Sequence, residues 1–479
     1  MPPSPGSPRR GAPAAGRTRR DREDACPGAL RLHAAHDGGL ARVRIPGGVL
    51  TAAQARALAA AAEDLGDGHL DLTSRGNVQL RGLDDDAGGA LADRLEAAGL
   101  LPSRRHERVR NIVASPLSGL DGQGHADMRP HVARLDALLC ASDVTPALSG
   151  RFLFALDDGR GDTAALGADI TVTARPGAAA DLRIGTGTLR VPRDDAARWA
   201  VRAAEAFLDL ARESGAAAWR VADVDPDGRA IAARLALPPA AGVPQREEGG
   251  LALPGGGTAA SQPRLGRIDR PDSAYAALSV AAPLGRAAAA QWRHLAAAAA
   301  SAAAAQHAGH GSGELRVTPW RGVVLPGLDR ATAADVLAVL ADAGLVTSDD
   351  SPWVGVTACT GRPGCASSLA DVRADAAAVL RSHPVAPRQG RRPVHWSGCE
   401  RRCGRPSGRR WVDAVANGDG GYRITVHGVD PAATESAPGA DPVEAQAPRG
   451  AGPAETDAAH GGLGAAVAAA RTTRPPREM

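Results

Sequence analysis

The sequence predicts an α+β fold built by internal duplication, and three observations carry that expectation. At 479 residues the chain exceeds what one hydrophobic core serves, so two to four domains are expected. Residues 70–103 (LDLTSRGNVQLRGLDDDAGGALADRLEAAGLLPS) align without a gap on residues 315–348 (LRVTPWRGVVLPGLDRATAADVLAVLADAGLVTS), with 12 of 34 positions identical. Each copy reads as an alternating strand, a glycine-containing turn, a second short strand, and a helix with i, i+3, i+4 apolar spacing that stops at Gly99 or Gly344.

In chain order, residues 1–25 are rich in Pro, Ala, Gly and Arg without apolar periodicity and are expected to be a disordered tail. Residues 26–104 hold a strand (ARVRIPGG), an Ala-rich helix over 51–65 and the first repeat, a β-α-β-β-α unit close to half of a ferredoxin-like sandwich. Residues 105–237 read as an α/β domain: VRNIVASPLSG, a helix around 131–139, a strand over 151–156, the turn DDGRGD, a strand over 168–173 and a helix over 194–212. Residues 238–272 (PPAAGVPQREEGG, then LPGGGTAASQP) read as a linker. Residues 273–350 repeat the half-domain, with AALSVAAP and a helix over 286–305, and the two halves are expected to pair about a pseudo-two-fold axis. Residues 351–432 form the second α/β domain, with VGVTACTGRPGCASS, a helix over 369–380, PVHWSGCERRCGRP and a strand pair ending at Val426; residues 433–479 read as a disordered tail. Sliding the second α/β domain over the first sets Cys359 opposite Ser115, which predicts one functional site on a duplicated scaffold.

Composition excludes several classes. All 56 basic residues are arginine, so Schiff-base and P-loop lysines are ruled out; the abundance of Ala, Gly, Arg and Pro points to genome bias as the cause. Net charge is only +3 and the folded middle is near neutral, which argues against nucleic-acid binding. No run approaches the roughly 18 apolar residues a membrane span needs, and no apolar segment follows Arg9 and Arg10 as in a secretion signal. A cytoplasmic protein with no membrane partner is expected, in which six cysteines are metal ligands or free thiols.

Four of those cysteines fall in two close pairs. Five residues (TGRPG) separate Cys359 from Cys365, three (ERR) separate Cys399 from Cys403, and 33 lie between the pairs. Four thiolates so spaced suit a cubane iron–sulfur cluster, with a Gly- and Pro-rich loop free to aim N–H groups at its sulfurs. A structural Cys₄ zinc site is the competing reading, although zinc favours C-x₂₋₄-C in both arms; unliganded buried thiols are the bland one. Cys26 and Cys140 lack a partner at metal spacing and read as a loop thiol and a small core residue.

The pattern ACTGRPGC with HWSGCERRC, together with LTSRGNVQLRGL and VRNIVASPLSG, resembles the sulfite and nitrite reductase superfamily over residues 26–430. The resemblance implies that Cys359, Cys365, Cys399 and Cys403 ligate a [4Fe–4S] cluster, with Cys403 where the reductases bridge to sirohaem, and that Arg75 and Arg110 face the macrocycle. It also implies a duplicated fold with paired ferredoxin-like half-domains and two haem- or cluster-type α/β domains. The reductases carry a K-F-K segment that protonates the oxyanion, and here Arg151-Phe152-Leu153 stands in its place. Arginine holds anions but does not readily donate a proton, and leucine does neither. The segments CPGALRLHAAHDGGLARVRIPGG, FALDDGRGD, LRVTPWRGVVLPGL and TGRPGCASSLADVRADA are instead similar to the precorrin-3B synthases, the branch of the superfamily in aerobic cobalamin biosynthesis. That branch implies an oxygen-dependent hydroxylation of precorrin-3A at C20 with γ-lactone formation. It also implies a mononuclear non-haem iron beside the cluster and NADH used through a separate reductase or ferredoxin.

A tetrapyrrole with eight carboxylates needs fixed cations, and Arg75, Arg81, Arg110 and Arg151 are expected to contact it, with Arg321 as the candidate from the second repeat. The eight arginines from Arg388 to Arg410 read as a solvated basic face, a carboxylate site or a docking surface for an acidic electron donor. No motif identifies the ligands of a mononuclear iron. His125, Asp127, His131 and His395 are the nearest candidates, each more ordinarily a surface or hydrogen-bonding group. DDGRGD reads as a tight turn or as a source of a site carboxylate. No G-x-G-x-x-G fingerprint follows a strand, which predicts that NADH binds elsewhere than on this chain.

Overall fold

The computed structural model describes residues 26–215, 217–235, 262–304, 313–382, 391–406, 410–428, 454–458 and 462–472. The expected tail 1–25 and most of the expected linker lie outside those residues. Four five-stranded sheets form two related pairs.

The first pair is the ferredoxin-like core. One sheet runs His33–Ala35, Gly38–Val43, Val78–Leu83, His69–Leu72 and then Arg286–Ala288, which comes from the other half. The second runs Gly266–Asp269, Tyr275–Ala281, Gly322–Asp329, Glu314–Val317 and then Val49–Thr51, lent by the first half. Each half therefore completes its partner's antiparallel sheet, in registers Ala287↔Leu70 and Leu315↔Leu50. Val49–Thr51 is aimed by the turn Pro46–Gly48, where Gly48 sits at φ +73° and a Cβ would lie 1.9 Å from the Val317 carbonyl; no other residue fits. In each half one glutamine in the first helical turn bonds the end of the neighbouring helix: Gln54 donates to Ala98 O at 3.3 Å and Gln291 to Ala343 O at 2.9 Å. A single apolar core runs through both halves, from Leu58 and Leu70 to Trp292 and Leu315.

Two positions differ from the sequence reading here. Residues 286–288 are strand, the helix being Ala289–Ala304, because three residues are too few to show a period. The 238–272 linker also ends early, since Gly266–Asp269 is an edge strand.

The second pair of sheets comprises the two α/β domains, which share one topology. Ile112–Ala114, Phe154–Asp157 and Ile170–Ala174 are parallel neighbours, followed by antiparallel Ala179–Ile184 and Gly187–Pro192. Val356–Ala358, Val394–Ser397 and Trp411–Ala416 repeat the parallel set, followed by antiparallel Tyr422–His427 and Ala454–Ala458. The helix Ala196–Glu213 closes the first domain, and Leu463–Arg471 closes the second, burying Leu463, Val467 and Arg471. The expectation of disorder over 433–479 is thus corrected for these segments. AETDA and LGAAVAAAR are short and carry few large apolar residues, so their place in the core is set by the sheet they complete.

Trp292 is fully buried at the centre of the shared core. Trp292→Ala is expected to cost about 3–5 kcal/mol, read as a lower midpoint in urea unfolding with both ferredoxin-like halves lost in one transition.

Candidate functional site

Both cysteine pairs leave the carboxyl ends of adjacent parallel strands, Cys359 after Val356–Ala358 and Cys399 after Val394–Ser397. Open α/β sheets gather ligands at such ends. Cys359 Sγ accepts the Gly398 N–H at 3.3 Å, and a Cβ on Gly398 would fall 1.8 Å from Ser368 Oγ, so glycine is required between the second strand and its cysteine. Burial pushes the Cys359 thiol up, the Gly398 and Gly361 N–H groups pull it down, and Cys403 and Cys365 raise it again. Burial likewise raises Cys403, followed by the charges of Cys399 and Cys365. The thiols of both pairs therefore feel one another, and a cationic group between them relieves that repulsion. This donor set, with N–H groups at its sulfur, fits a four-iron cluster, in which each thiolate meets a different iron. Among the described residues no three His, Cys, Asp or Glu side chains are grouped closely enough to hold one metal ion.

The first cysteine loop is clamped to the first half-domain. Arg81 forks onto Asp37 at 2.8 and 2.9 Å and donates to Gly364 O at 3.1 Å. Arg373 joins Asp71 at 3.0 Å and Cys359 O at 3.3 Å. Arg81 is thus a positioning residue for the loop, and the expectation of substrate contact does not fit its pairing. Arg110 does not fit it either: it is buried, forks onto Asp136 at 2.7 Å twice and bonds Leu100 O. The sequence alone does not show which carboxylate each guanidinium meets.

Arg321 adopts the left-handed φ of +63° that Gly76 adopts (+65°) in the first repeat, so its counterpart is Gly76 rather than Arg75. Its guanidinium reaches toward the second cysteine pair, with Nη2 3.4 Å from where a Gly404 Cβ would stand. Burial lowers its pKa, then Arg373; Asp71 opposes. His395 is fully buried, donates from Nε2 to Cys403 O at 3.1 Å and meets Thr357 Oγ1 through Nδ1 at 2.8 Å. Burial and then Arg321 push its pKa down to about 4, so it remains neutral and steadies the Cys403 loop.

Arg75 and Arg151 do come together. They line a cavity of about 400 Å³ with Arg42, Arg220, Trp219 and Cys26. Arg75 donates to Gly150 O at 3.3 Å, Arg151 lies 4.2 Å over the Trp219 ring, Arg42 bonds Gln79 and Arg220 pairs with Asp169. Behind them Arg44 is 3% exposed; its Nε donates to Arg108 O at 3.2 Å, while Nη1 and Nη2 meet no partner among the described residues. Burial, then Arg42, push the Arg44 pKa down to about 9. A buried guanidinium without a carboxylate is costly, and an incoming anion removes that cost. Sequence reasoning misses Arg42, Arg44, Arg220 and Trp219; Arg-x-Arg on one strand face before PGG is the available signal. Leu153 is absent from this wall and packs with Val113, Ala155 and Ala168.

The first α/β domain has a polar network where the second has sulfur. The Asp158 N–H reaches Ser115 Oγ at 3.2 Å, matching Gly398 N–H on Cys359 Sγ, and Ser115 donates to Asp162 at 2.5 Å. DDGRGD is a turn in which Asp157 accepts the N–H groups of Gly159, Gly161, Thr163 and Ala164. Asp127 is engaged by Arg129. Burial and then Asp157 raise the Asp162 pKa from 3.8 to about 7. The folded state keeps this proton while the unfolded chain sheds it from about pH 3.8, so the group's contribution to stability falls as pH rises from about 3.8 to about 7. Asp162→Asn is expected to match wild type in thermal melting near pH 4 and to exceed it at pH 8.

Known proteins agree with this architecture. The nitrite/sulfite reductase ferredoxin-like half domain matches residues 33–98 and 268–343. A precorrin-3B synthase from Sinorhizobium sp is 28% identical over 420 residues, covering 85% of this chain and 83% of that one. A ferredoxin–nitrite reductase from Synechococcus elongatus is 26% identical over 405 residues, covering 77% and 74%. The structure of the Mycobacterium tuberculosis NirA protein superposes with a TM-score of 0.61 at 19% identity, over 81% of this chain and 74% of that one, a likeness of fold. Among the described residues no helix is long and apolar enough to cross a membrane. Both half-domain matches fall on the segments that exchange strands, so the likeness is carried by the paired ferredoxin-like halves and by the shared fold.

Proposed function

We propose that the chain is an oxygen-dependent monooxygenase that converts precorrin-3A to precorrin-3B, hydroxylating C20 and closing a γ-lactone. The observation that carries this reading is the arginine cavity, in which Arg42, Arg75 and Arg151 form no ion pair among the described residues, with the buried, unpartnered Nη atoms of Arg44 behind them. Fixed, unneutralised guanidinium forks suit the acetate and propionate arms of a tetrapyrrole. Trp219, already under Arg151, offers an apolar face beside them.

A [4Fe–4S] cluster held by Cys359, Cys365, Cys399 and Cys403 supplies single electrons in this reading. Arg81 and Arg373 hold the first cysteine loop against the half-domain, and His395 holds the second. Arg321 places a positive charge beside that loop, which favours the reduced, more negative form of a cluster there. The electron donor, an NADH-dependent reductase or a ferredoxin, would dock over the surface beside Cys399, where Arg401 stands and Leu369 is 46% exposed, while Arg423 is paired with Glu400. No step is assigned to the mononuclear iron.

A sirohaem-dependent nitrite or sulfite reductase is the second reading, favoured by the Synechococcus elongatus relative. Against it stand the absence of lysine throughout the chain and the burial of Leu153 in a small core. Repeated protonation of an oxyanion calls for a donor that arginine replaces poorly.

Anaerobically purified protein is expected to show a broad violet shoulder without sharp Soret and α bands. Supplied with precorrin-3A, oxygen and a reductant, it is expected to yield a product heavier by one oxygen atom in mass spectrometry. Sirohaem bands with nitrite or sulfite reduction would establish the second reading instead. Arg75→Gln and Arg151→Gln are each expected to weaken binding of uroporphyrin about tenfold or more, the worth of a charge-assisted hydrogen bond. Arg110→Gln, which strands Asp136, is expected to lower stability by about 3–5 kcal/mol. In redox titration followed by EPR, Arg321→Gln is expected to shift the cluster to lower potential.

A further inference from the structure

Cys26 stands in the wall of the arginine cavity. It is held there by a pinned turn: Glu107 Oε2 accepts the N–H groups of Ala29 at 2.7 Å and Leu30 at 2.9 Å, and Gly28 O accepts the Arg42 N–H at 3.1 Å. Arg42 and Arg44, two apart on one extended segment, share a face, and Arg42, Arg44 and Arg75 are each close enough to feel a charge on Cys26. Independently, the two Nη atoms of Arg44 are buried without a partner among the described residues, an arrangement that calls for an anion. A thiolate is one the chain itself supplies, and cationic surroundings favour that form.

We propose that Cys26 is a reactive thiolate and a site of oxidation by hydrogen peroxide, whose sulfinate product takes the place of a substrate carboxylate among Arg42, Arg44 and Arg75. In the first step the sulfur attacks one peroxide oxygen. The S–O bond forms, the O–O bond breaks and hydroxide leaves, so that sulfur loses two electrons to the peroxide. The sulfenic acid so formed gives its proton to that hydroxide, making water; the sulfenate attacks a second peroxide in the same way, and the sulfinic acid gives its proton to the second hydroxide, making a second water. The consequence for binding rests on the tetrapyrrole reading of the cavity; the thiolate itself does not.

The test uses the purified full chain, labelled at pH 7 with iodoacetate or iodoacetamide and mapped by peptide mass spectrometry. Cys140 is the internal reference, because burial and then Asp136 raise its pKa. Cys26 is expected to react about tenfold faster than Cys140, because the thiolate is the reacting form. Its preference for the anionic reagent is expected to exceed that of Cys140 and to fall in Arg42→Gln. Peroxide is expected to add two oxygens to the Cys26 peptide and to weaken uroporphyrin binding about tenfold in wild type but not in Cys26→Ser. Equal rates at Cys26 and Cys140 would overturn the thiolate, and unchanged uroporphyrin affinity after oxidation would overturn the occupation of the cavity. Fast labelling with no uroporphyrin binding before or after peroxide would instead sink the tetrapyrrole reading while leaving the thiolate in place.

Discussion

The exchange of two three-residue strands is the constraint on which the rest of the structure depends. Val49–Thr51 and Arg286–Ala288 each complete the other half's sheet, so neither ferredoxin-like half closes alone. A sheet edge left unpaired is a liability, and here each half covers the other's. The exchange also fixes the turns beyond the inner strands. Thr73–Asn77 faces the first α/β domain through Arg75 and Gly150 O, and residues 318–322 face the second through Arg321 and the Cys403 loop. The turns that carry Arg75 and Arg321 are thus counterparts in the two repeats, each set against its own α/β domain.

The two α/β domains differ in chemistry at the loops on the carboxyl ends of their parallel strands. The same backbone N–H finds Cys359 Sγ in one and Ser115 Oγ in the other. Where oxygen stands in place of sulfur, the space is taken by Ser115, Asp157 and Asp162, a buried acid pair in which Asp162 holds its proton to about pH 7. Such a network is satisfied internally, with four backbone N–H groups turned onto Asp157. Sulfur donors on one side and a closed hydrogen-bond cage on the other occupy the same loop ends.

The duplication is legible in the sequence because 34 residues repeat without a gap and their apolar spacing differs between strand and helix. The exchanged strands are not, since VLT and RAA are too short to carry a period and their partner lies more than 200 residues away. The final strand and helix escape notice for a similar reason: Ala458, Leu463 and Val467 are their main apolar anchors, and an Ala-rich helix resembles the Ala-rich sequence around it. The cysteine spacing is legible, but that Arg75 and Arg151 share a cavity while Arg81 and Arg110 pair with carboxylates is not. Cys26 reads as an ordinary thiol because its neighbours Arg42, Arg75 and Arg151 arrive from three separate segments.

Ion-pair geometry separates two kinds of arginine that composition treats alike. Arg81 and Arg110 are buried and each forks onto a carboxylate, Asp37 or Asp136, so each pair is neutral as a unit and holds local structure. Arg42, Arg75 and Arg151 have amide, carbonyl or aromatic neighbours instead, and Arg44 donates only from Nε, so the charge of each is left uncompensated. Uncompensated charge in a half-buried wall lowers stability, as the depressed pKa values of Arg42, Arg44 and Arg75 indicate, and it persists where an anion completes the site. In a chain without lysine, what separates these arginines from Arg81 and Arg110 is therefore the paired carboxylate, not the cation.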